Sequence, residues 1–443
     1  MGDLLISAAW LVILGFCVLA LRGFRLPGLP IYSALVLLIV KFACGLALTR
    51  MYTAYHPDRE TADIFKFYDD GEVIYQALEQ NPKDFFMLAS GLDRNRPDYD
   101  KYYIKMKHWS RKYDHEQGGM SDTRLMIRLN AWAWVFSTGV YEVHILFWCF
   151  VSLLGLCLVY RAFYPYFTDR PWWLAGAVFL IPSVLWWGSG VLKESFLLLF
   201  TGLLMLPVMA LFAGRMRPVH LFYLLLAAGG FFLLKFYVLL AFVPAIISLF
   251  IAKIMRFKHT VLVNLLVPSV LVILLMNAYR VFPDFDVMKQ MASLQQDMLR
   301  MSYYSGAGSV TDANPLAPTL MGFVRNLPEA LLNATLRPAL TEVKNGLQLF
   351  AGIENTFIGF VILLAIGLYQ PVTDAPKKAL VWFCLSFTFM LFALTGLTTP
   401  ILGTLVRYRM PALPFLGIAL LLLSDTERLV RIIREIAWLD EKD

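Results

Sequence analysis

The sequence has 443 residues, of which 59% are hydrophobic and only 16% are charged. Soluble domains carry about a quarter of charged residues, so this composition excludes an ordinary soluble protein and indicates a chain embedded in lipid. The net charge is +7, but the Lys and Arg residues are scattered through short loops and form no basic domain. We therefore expect no nucleic-acid partner.

Apolar stretches of roughly 17–25 residues, long enough to cross about 30 Å of hydrocarbon, recur along the chain. They predict an all-α polytopic bundle of about eleven transmembrane helices, forming a single transmembrane domain over residues 1–443. The five cysteines lie inside these stretches, which predicts packing roles and no disulfides or metal ligands. The predicted spans are residues 4–21, 31–49, 142–164, 172–188, 194–213, 219–234, 236–252, 260–278, 356–370, 379–396 and 410–424.

If a tight hairpin with Lys235 at its tip separates the spans 219–234 and 236–252, all the basic short loops fall on one side of the membrane. The positive-inside rule then predicts that the N-terminus is outside and the C-terminus is cytoplasmic. The long segments 50–141 and 279–355 become external loops, in which we expect short helices lying against the membrane. Residues 425–443 are predicted to form a cytoplasmic amphipathic tail.

Acidic residues begin the first long loop. If a helix starts from an N-cap at Thr61, then Asp63, Lys66 and Asp70 lie on one face, and two carboxylates are held near the outer membrane surface. The alternative is a structural one, in which the helix dipole stabilises an N-terminal acid beside a solvated charge pair.

Charged residues also occur at the predicted external ends of several spans. They are Lys193, Glu194, Lys235, Arg407 and Arg409. Basic residues there oppose the orientation signal, and an anionic substrate would account for them, since Arg binds phosphate bidentately. The alternative is that the basic side chains reach out to lipid headgroups and that Lys193 pairs with Glu194.

The second long loop adds Arg337, Glu342 and Glu354 as further candidates. In the first loop, the basic and aromatic run 101–109 would either stack on sugar rings or rest on lipid headgroups. No nucleotide-binding loop, dinucleotide fingerprint, zinc-spaced Cys/His set or serine-hydrolase elbow occurs in the sequence.

Two segments carry a resemblance to a known class. Ala62-Asp-Ile-Phe-Lys-Phe-Tyr-Asp-Asp70 and Arg407-Tyr-Arg-Met-Pro-Ala-Leu-Pro414 are similar to integral membrane glycosyltransferases of the GT-C class and related polysaccharide-assembly proteins. Residues 182–194 and Leu336-Arg-Pro338 with Glu342 resemble stretches of bacterial membrane proteins associated with exopolysaccharide synthesis. The resemblance spans most of the chain, although two spans precede the acidic segment here and GT-C enzymes usually have one.

The resemblance implies an enzyme of the bacterial inner membrane that transfers sugar from a polyprenyl-phosphate-linked donor to a glycan or lipid-linked acceptor at the external face. It makes Asp63 the first candidate catalytic acid, with Asp69 and Asp70 behind it. No cofactor is required by the sequence, although carboxylates would suit Mg²⁺ or Mn²⁺. Candidate phosphate ligands are Arg407, Arg409, Lys193, Lys235 and Arg337, supported by Glu194, Glu342 and Glu354.

Two other functions remain open. A transporter or flippase of lipid-linked glycans would use the same charges to line a pathway, with ionisable residues near mid-membrane. A non-catalytic subunit of an envelope complex would tolerate alanine at Asp63 or Arg407.

Overall fold

The computed structural model describes residues 2–56, 58–93, 96–109, 121–305, 310–311 and 314–440. Within these residues the secondary structure is helical, apart from two isolated β-bridges, which confirms the predicted all-α class. The α-helices, in chain order, are α1 (Gly2–Ala20), α2 (Ser33–Tyr55), α3 (Asp63–Gln80), α4 (Pro82–Ser90), α5 (Asp100–Tyr103), α6 (Asp122–Ser137), α7 (Tyr141–Phe163), α8 (Pro171–Phe179), α9 (Pro182–Trp187), α10 (Lys193–Phe212), α11 (Pro218–Leu234), α12 (Phe236–Ile254), α13 (Thr260–Met276), α14 (Val287–Ser305), α15 (Leu320–Leu336), α16 (Gly346–Gly367), α17 (Ala375–Thr398), α18 (Leu402–Tyr408), α19 (Leu413–Leu423) and α20 (Thr426–Asp440).

Eight helical segments among the described residues are long and apolar enough to cross a membrane. They coincide with eight of the predicted stretches, and α11 and α13 are shorter apolar helices that coincide with two more. The multi-pass character follows from these helices, whereas the predicted total of about eleven is not confirmed. The eight segments are Gly2–Ala20, Ser33–Tyr55, Tyr141–Tyr166, Lys193–Phe212, Phe236–Ile254, Gln348–Gly367, Ala375–Thr398 and Leu402–Leu423.

The predicted span 172–188 is not one helix. It is divided into α8, of 9 residues, and α9, of 6 residues. Pro182 begins α9, and proline both lacks an N–H group and disfavours helical geometry in the residue before it. An apolar stretch of sufficient length therefore does not form a continuous span here.

The chain divides into two compact units. Unit 1 comprises Met1–Pro171 and Val184–Phe236, and unit 2 comprises Trp172–Ser183 and Tyr237–Asp443. Lys235 is non-helical between α11 and α12, so these are two helices. The tight hairpin predicted at this residue stays a prediction. The single domain over residues 1–443 stays a prediction.

In unit 1, α7 and α10 approach each other closely. A Cβ atom added to Gly155 would lie 2.1 Å from the carbonyl oxygen of Leu198, and one added to Gly202 would lie 2.1 Å from that of Gly155. Small residues allow such contact between membrane helices, where dispersion forces replace the hydrophobic effect. The buried Cys149 and Cys157 lie on α7, in agreement with their predicted packing roles.

The described part of the segment between α2 and α7 contains the short helices α4 and α5 beside α3, of 18 residues, and α6, of 16 residues. Their predicted position against the membrane stays a prediction. Trp109 is 5% exposed and stacks on Tyr103 at 5.3 Å between ring centroids. The guanidinium groups of Arg124 and Arg128 lie 5.0 and 5.1 Å from its ring. The aromatic end of the run 101–109 is thus part of the core of unit 1.

In unit 2, α15 packs on α17 through Gly396, where an added Cβ atom would lie 2.2 Å from the carbonyl oxygen of Ala330. An apolar cluster continues from this contact through Met288, Ala292, Leu316, Phe323 and Leu397. The predicted amphipathic tail is helical as α20, with exposed Ile432 and Ile433 beside Arg428, Arg431 and Arg434. Its cytoplasmic location stays a prediction.

One buried ion pair stabilises the short helices of unit 1. Arg128 lies 2.9 Å from the fully buried carboxylate of Asp93, which also accepts a hydrogen bond from Tyr103. We expect Arg128→Met to lower the free energy of unfolding by about 3–5 kcal/mol, because it leaves a buried carboxylate without its cation. Thermal unfolding of the purified protein measures this loss.

Arg59→Gln is the matched control, because its ion pair with Asp69 is half-exposed and should contribute no more than about 1 kcal/mol. Equal destabilisation by the two substitutions would contradict the account of the Asp93 site.

Candidate functional site

The acidic helix α3 begins at Asp63, and the predicted N-cap at Thr61 is wrong. Thr61 belongs to a 3₁₀ turn and its hydroxyl donates to the carbonyl oxygen of Asp58 at 2.8 Å, so Ala62 precedes the helix. Asp63 therefore lies in the first turn, where the helix dipole favours a negative charge. Its carboxylate accepts from Lys66 at 2.8 Å, and its side chain is 43% exposed.

The other two candidate acids have different partners. Asp69 is held by the guanidinium of Arg59, with N–O distances of 2.8 to 3.2 Å. Asp70 is 3% exposed and accepts from the backbone N–H groups of Lys107 at 3.0 Å and His108 at 2.8 Å. Asp70 therefore anchors the run 101–109 and is not presented at the surface.

Burial shifts the pKa values of Asp70 and of His108, whose backbone N–H it holds. Burial raises the pKa of Asp70, and the two backbone hydrogen bonds offset part of that rise. Burial lowers the pKa of His108, and the negative charge of Asp70 offsets part of that decrease. Of the three acids, Asp63 is the most exposed and retains the most access to a ligand.

Lys193 forms an ion pair with Asp122. The Nζ–Oδ2 distance is 2.6 Å, and Lys193 also donates to the hydroxyl of Thr123 at 3.4 Å. Asp122 is the first residue of α6, which follows the N-cap Ser121, whose side chain accepts from the N–H of Thr123. The contact joins the first residue of α6 to the first residue of the membrane-length helix α10.

Lys235 also acts on this carboxylate. Burial alone would raise the pKa of Asp122, but the charges of Lys193 and Lys235 and the hydrogen bonds from Lys193 and Thr123 hold that pKa below its ordinary value. Two of the predicted phosphate ligands are therefore brought together around one carboxylate that the sequence analysis does not identify.

The face of α3 that carries Asp63 lies on the same side of unit 1 as Lys193. The ring centroid of Phe67 is 5.3 Å from the Lys193 ammonium, and Phe67 is one helical turn after Asp63. Glu194, next to Lys193, is fully buried. In unit 1, Lys193 thus contacts both Asp122 and Phe67, which lies on the face of α3 that carries Asp63.

Arg409 forms the centre of a polar cluster in unit 2. It is fully buried between α18 and the 3₁₀ turn Met410–Ala412 that leads into α19. Its guanidinium donates to the carbonyl oxygens of Ala334 at 2.5 Å and Thr335 at 3.2 Å, and to the side chain of Asn355. These donors satisfy carbonyl groups in the last turn of α15 that have no partner within the helix.

Glu354 lies in the same cluster and is 1% exposed. The sequence predicts that the next span begins at residue 356, just after Glu354. The span begins earlier, at Gln348, and includes Glu354. One carboxylate oxygen accepts from the hydroxyl of Ser183, while Oε1 and the Nε of Arg409 are buried without hydrogen-bond partners among the described residues. Ser183 and Arg409 thus contact the adjacent residues Glu354 and Asn355 of α16.

Arg337 and Glu342 form a separate pair in unit 2. The guanidinium lies 2.5 to 2.7 Å from the carboxylate and also donates to Asn333 at 3.2 Å. The hydrogen bonds from Arg337 hold the pKa of Glu342 below its ordinary value. Arg407 is half-buried near the end of α18. The predicted phosphate-binding roles of these arginines stay predictions.

No group of three or more metal-ligating side chains occurs in the part of the chain that the structure describes. Asp63 pairs with Lys66, Asp69 pairs with Arg59, and Asp70 accepts from two backbone N–H groups. The Mg²⁺ or Mn²⁺ considered from the sequence stays a prediction.

Sequence reasoning misses two residues of these clusters and one buried lysine outside them. Asp122 and Ser183 meet their partners only through tertiary packing, and no local pattern identifies either contact. Lys41 is different, because a lone lysine in the middle of the apolar stretch 31–49 is a visible signal of an intramembrane charge.

Comparisons with known protein families, with curated proteins and with solved structures find no match to this chain.

The Asp122 pair makes stability depend on pH. A carboxyl group whose pKa is lower in the folded state stabilises that state above its unfolded pKa, and the stabilisation is lost as the pH falls through the folded pKa. We expect Asp122→Asn to reduce the free energy of unfolding by about 1–3 kcal/mol at neutral pH. The difference from the wild type should shrink on the acid side of about pH 4. Unfolding curves across this pH range would contradict the assignment if the difference were constant.

Arg409 should not be replaceable by lysine. An ammonium group cannot reach Ala334, Thr335 and Asn355 with the fixed fork of a guanidinium. We expect Arg409→Lys to lower the free energy of unfolding by about 1–3 kcal/mol, because it leaves buried acceptors unpaired. The exposed Arg431→Lys is the control for thermal unfolding, and equal effects of the two would refute a structural role for the Arg409 fork.

Proposed function

We propose that this chain is a membrane glycosyltransferase or polysaccharide polymerase that takes sugar from a polyprenyl-phosphate-linked donor at the external face of the bacterial inner membrane, in cell-envelope or exopolysaccharide assembly. The observation that carries the proposal is the grouping of Lys193 and Lys235 around Asp122, on the side of unit 1 that carries Asp63.

A lipid-linked phosphate suits this grouping. Lys193 is the first residue of a membrane-length helix, so its ammonium lies at an end of the span, where the phosphate of a lipid-linked donor would lie. The N-terminus of α10 adds the positive end of the helix dipole. In this proposal Asp122 keeps Lys193 in position until an anionic donor competes for its ammonium.

The reaction requires a base and a stabilised leaving group. Asp63 accepts the proton of the acceptor hydroxyl as that oxygen forms a bond to the anomeric carbon. The bond from the anomeric carbon to the phosphate oxygen breaks, and its electron pair stays on the departing polyprenyl phosphate. Lys193 and Lys235 stabilise the charge that develops on this phosphate. Arg407 is proposed as a further phosphate ligand.

The test is transfer of sugar from a polyprenyl-linked donor by the purified protein. We expect Asp63→Asn to reduce the turnover rate by about 10²–10⁴-fold, which is the usual contribution of a general base. Lys193→Met should reduce both turnover and donor affinity, because it removes a cation at the phosphate.

Asp98→Asn and Lys83→Met are the matched controls, because both residues are exposed on short segments of unit 1. Full activity of Asp63→Asn and Lys193→Met, with folding intact, would remove these residues from the mechanism.

A second candidate function is a transporter of lipid-linked glycans. Its support is that Lys41, Glu354 and Arg409 are buried inside membrane-length segments. Transporter sites commonly use interrupted helices and intramembrane charges. Movement of a labelled polyprenyl-linked sugar across a vesicle membrane without any transfer product would favour this candidate over the enzyme.

A further inference from the structure

The tail helix α20 has an apolar side that the proposed function does not use. Over residues 426–435, whose side chains the structure describes, the apolar residues cover one side of the helix at 3.6 residues per turn. Leu429 and Val430 are half-buried, whereas Ile432 is 37% exposed and Ile433 is 54% exposed. The fold of unit 2 therefore covers this apolar side only in part.

The opposite side of α20 is charged. Arg428, Arg431 and Arg434 are exposed and follow one another at intervals of three residues, which places them on one face. Glu427 and Glu435 lie on the same face. At 3.6 residues per turn, Arg428 borders one edge of the apolar side and Arg434 borders the other. An apolar side bordered by basic residues is typical of a helix that lies in the plane of a membrane surface.

The start of α20 is held at the ends of two membrane-length segments of unit 2. The backbone N–H of Asp425 donates to the carbonyl oxygen of Leu368 at 2.9 Å, and that of Gln370 donates to Leu423 at 2.8 Å. Leu368 directly follows one candidate span, and Leu423 is the last residue of another. Two spans that end side by side leave the hydrocarbon at the same level, which puts the first residue of α20 at the headgroup layer.

A break in the backbone separates α20 from the preceding span. Ser424 is extended, with φ −108° and ψ 139°, and ends α19. The carboxylate of Asp425 then accepts from the N–H of Arg428 at 2.9 Å and caps the new helix. α20 is thus a separate helix that starts at the membrane surface and does not prolong α19.

We propose that α20 lies in the phospholipid headgroup layer of the membrane that this chain spans, with Ile432 and Ile433 against the acyl chains. Arg428 and Arg434, at the borders of the apolar side, bind phosphate oxygens of the phospholipids with their guanidinium groups. A phospholipid surface is favoured over a protein partner because the backbone contacts with Leu368 and Leu423 already hold the start of α20 at that level. This role is independent of the proposed glycosyl transfer.

The experiment measures the depth of a fluorescent label on the full chain in vesicles of phosphatidylethanolamine and phosphatidylglycerol. The label is attached at Ile433→Cys, on the apolar side, or at Arg431→Cys, on the charged side, and the labelled parent chain gives the background of the native cysteines. The quenchers are a nitroxide on the lipid acyl chains and iodide in the water. We expect the nitroxide to quench Ile433→Cys severalfold more than Arg431→Cys, and iodide to show the reverse order.

A second pair of variants tests whether the apolar side holds the helix in the lipid. Leu429→Ser combined with Ile432→Ser should lower nitroxide quenching at Ile433→Cys severalfold, because it removes apolar surface from the side in contact with the acyl chains. Glu427→Ser combined with Glu435→Ser, on the charged side, is the matched control and should leave that quenching unchanged.

Three results would overturn the proposal. Equal quenching of Ile433→Cys and Arg431→Cys by iodide would place both sides of α20 in water. Shielding of Ile433→Cys from both quenchers would show that protein, such as a second copy of this chain, covers the apolar side. Unchanged nitroxide quenching after the two serine substitutions on the apolar side would show that this side does not hold the helix in the lipid.

Discussion

Polar side chains buried inside the apolar helices of this protein need partners within the protein, because lipid provides none. Arg409 satisfies this constraint by donating to the end of α15 and to Asn355. Glu354 does so by accepting from Ser183. Both contacts involve adjacent residues of α16, so the packing of this helix in unit 2 depends on buried charges.

The same constraint organises unit 1 differently. Lys193 stands at the start of α10 and meets Asp122 at the start of α6, so a membrane helix is joined to a helix of the long polar segment. Asp70 anchors the run 101–109 by accepting two backbone N–H groups. Asp63 is the most exposed of the three acids of α3, and the proposed chemistry depends on this difference in burial between Asp63 and Asp70.

Much of the fold follows from composition and the length of apolar stretches, because those two properties decide which segments lipid tolerates. They identify the all-helical class, the membrane-length helices and the short helices of the polar segments. They fail at residues 172–188, where Pro182 divides an apolar stretch that hydropathy treats as continuous. The site is less predictable, because Asp122 and Lys193 are far apart in the sequence and only packing brings them together. For the same reason the pattern that groups Asp63 with Asp70 does not reveal that Asp70 is buried.

The central claim is that the acid of α3 faces the outside of the membrane, where a lipid-linked donor would present its phosphate and sugar. Labelling of Asp63→Cys by a membrane-impermeant thiol reagent, in sealed membranes with the outer face exposed, tests it most directly. Arg434→Cys in the tail helix and the parent chain with its five cysteines serve as references. The account predicts that Asp63→Cys reacts in sealed membranes and that Arg434→Cys reacts only after they are opened. The reverse pattern would place the acidic helix on the inner face and contradict the proposed site.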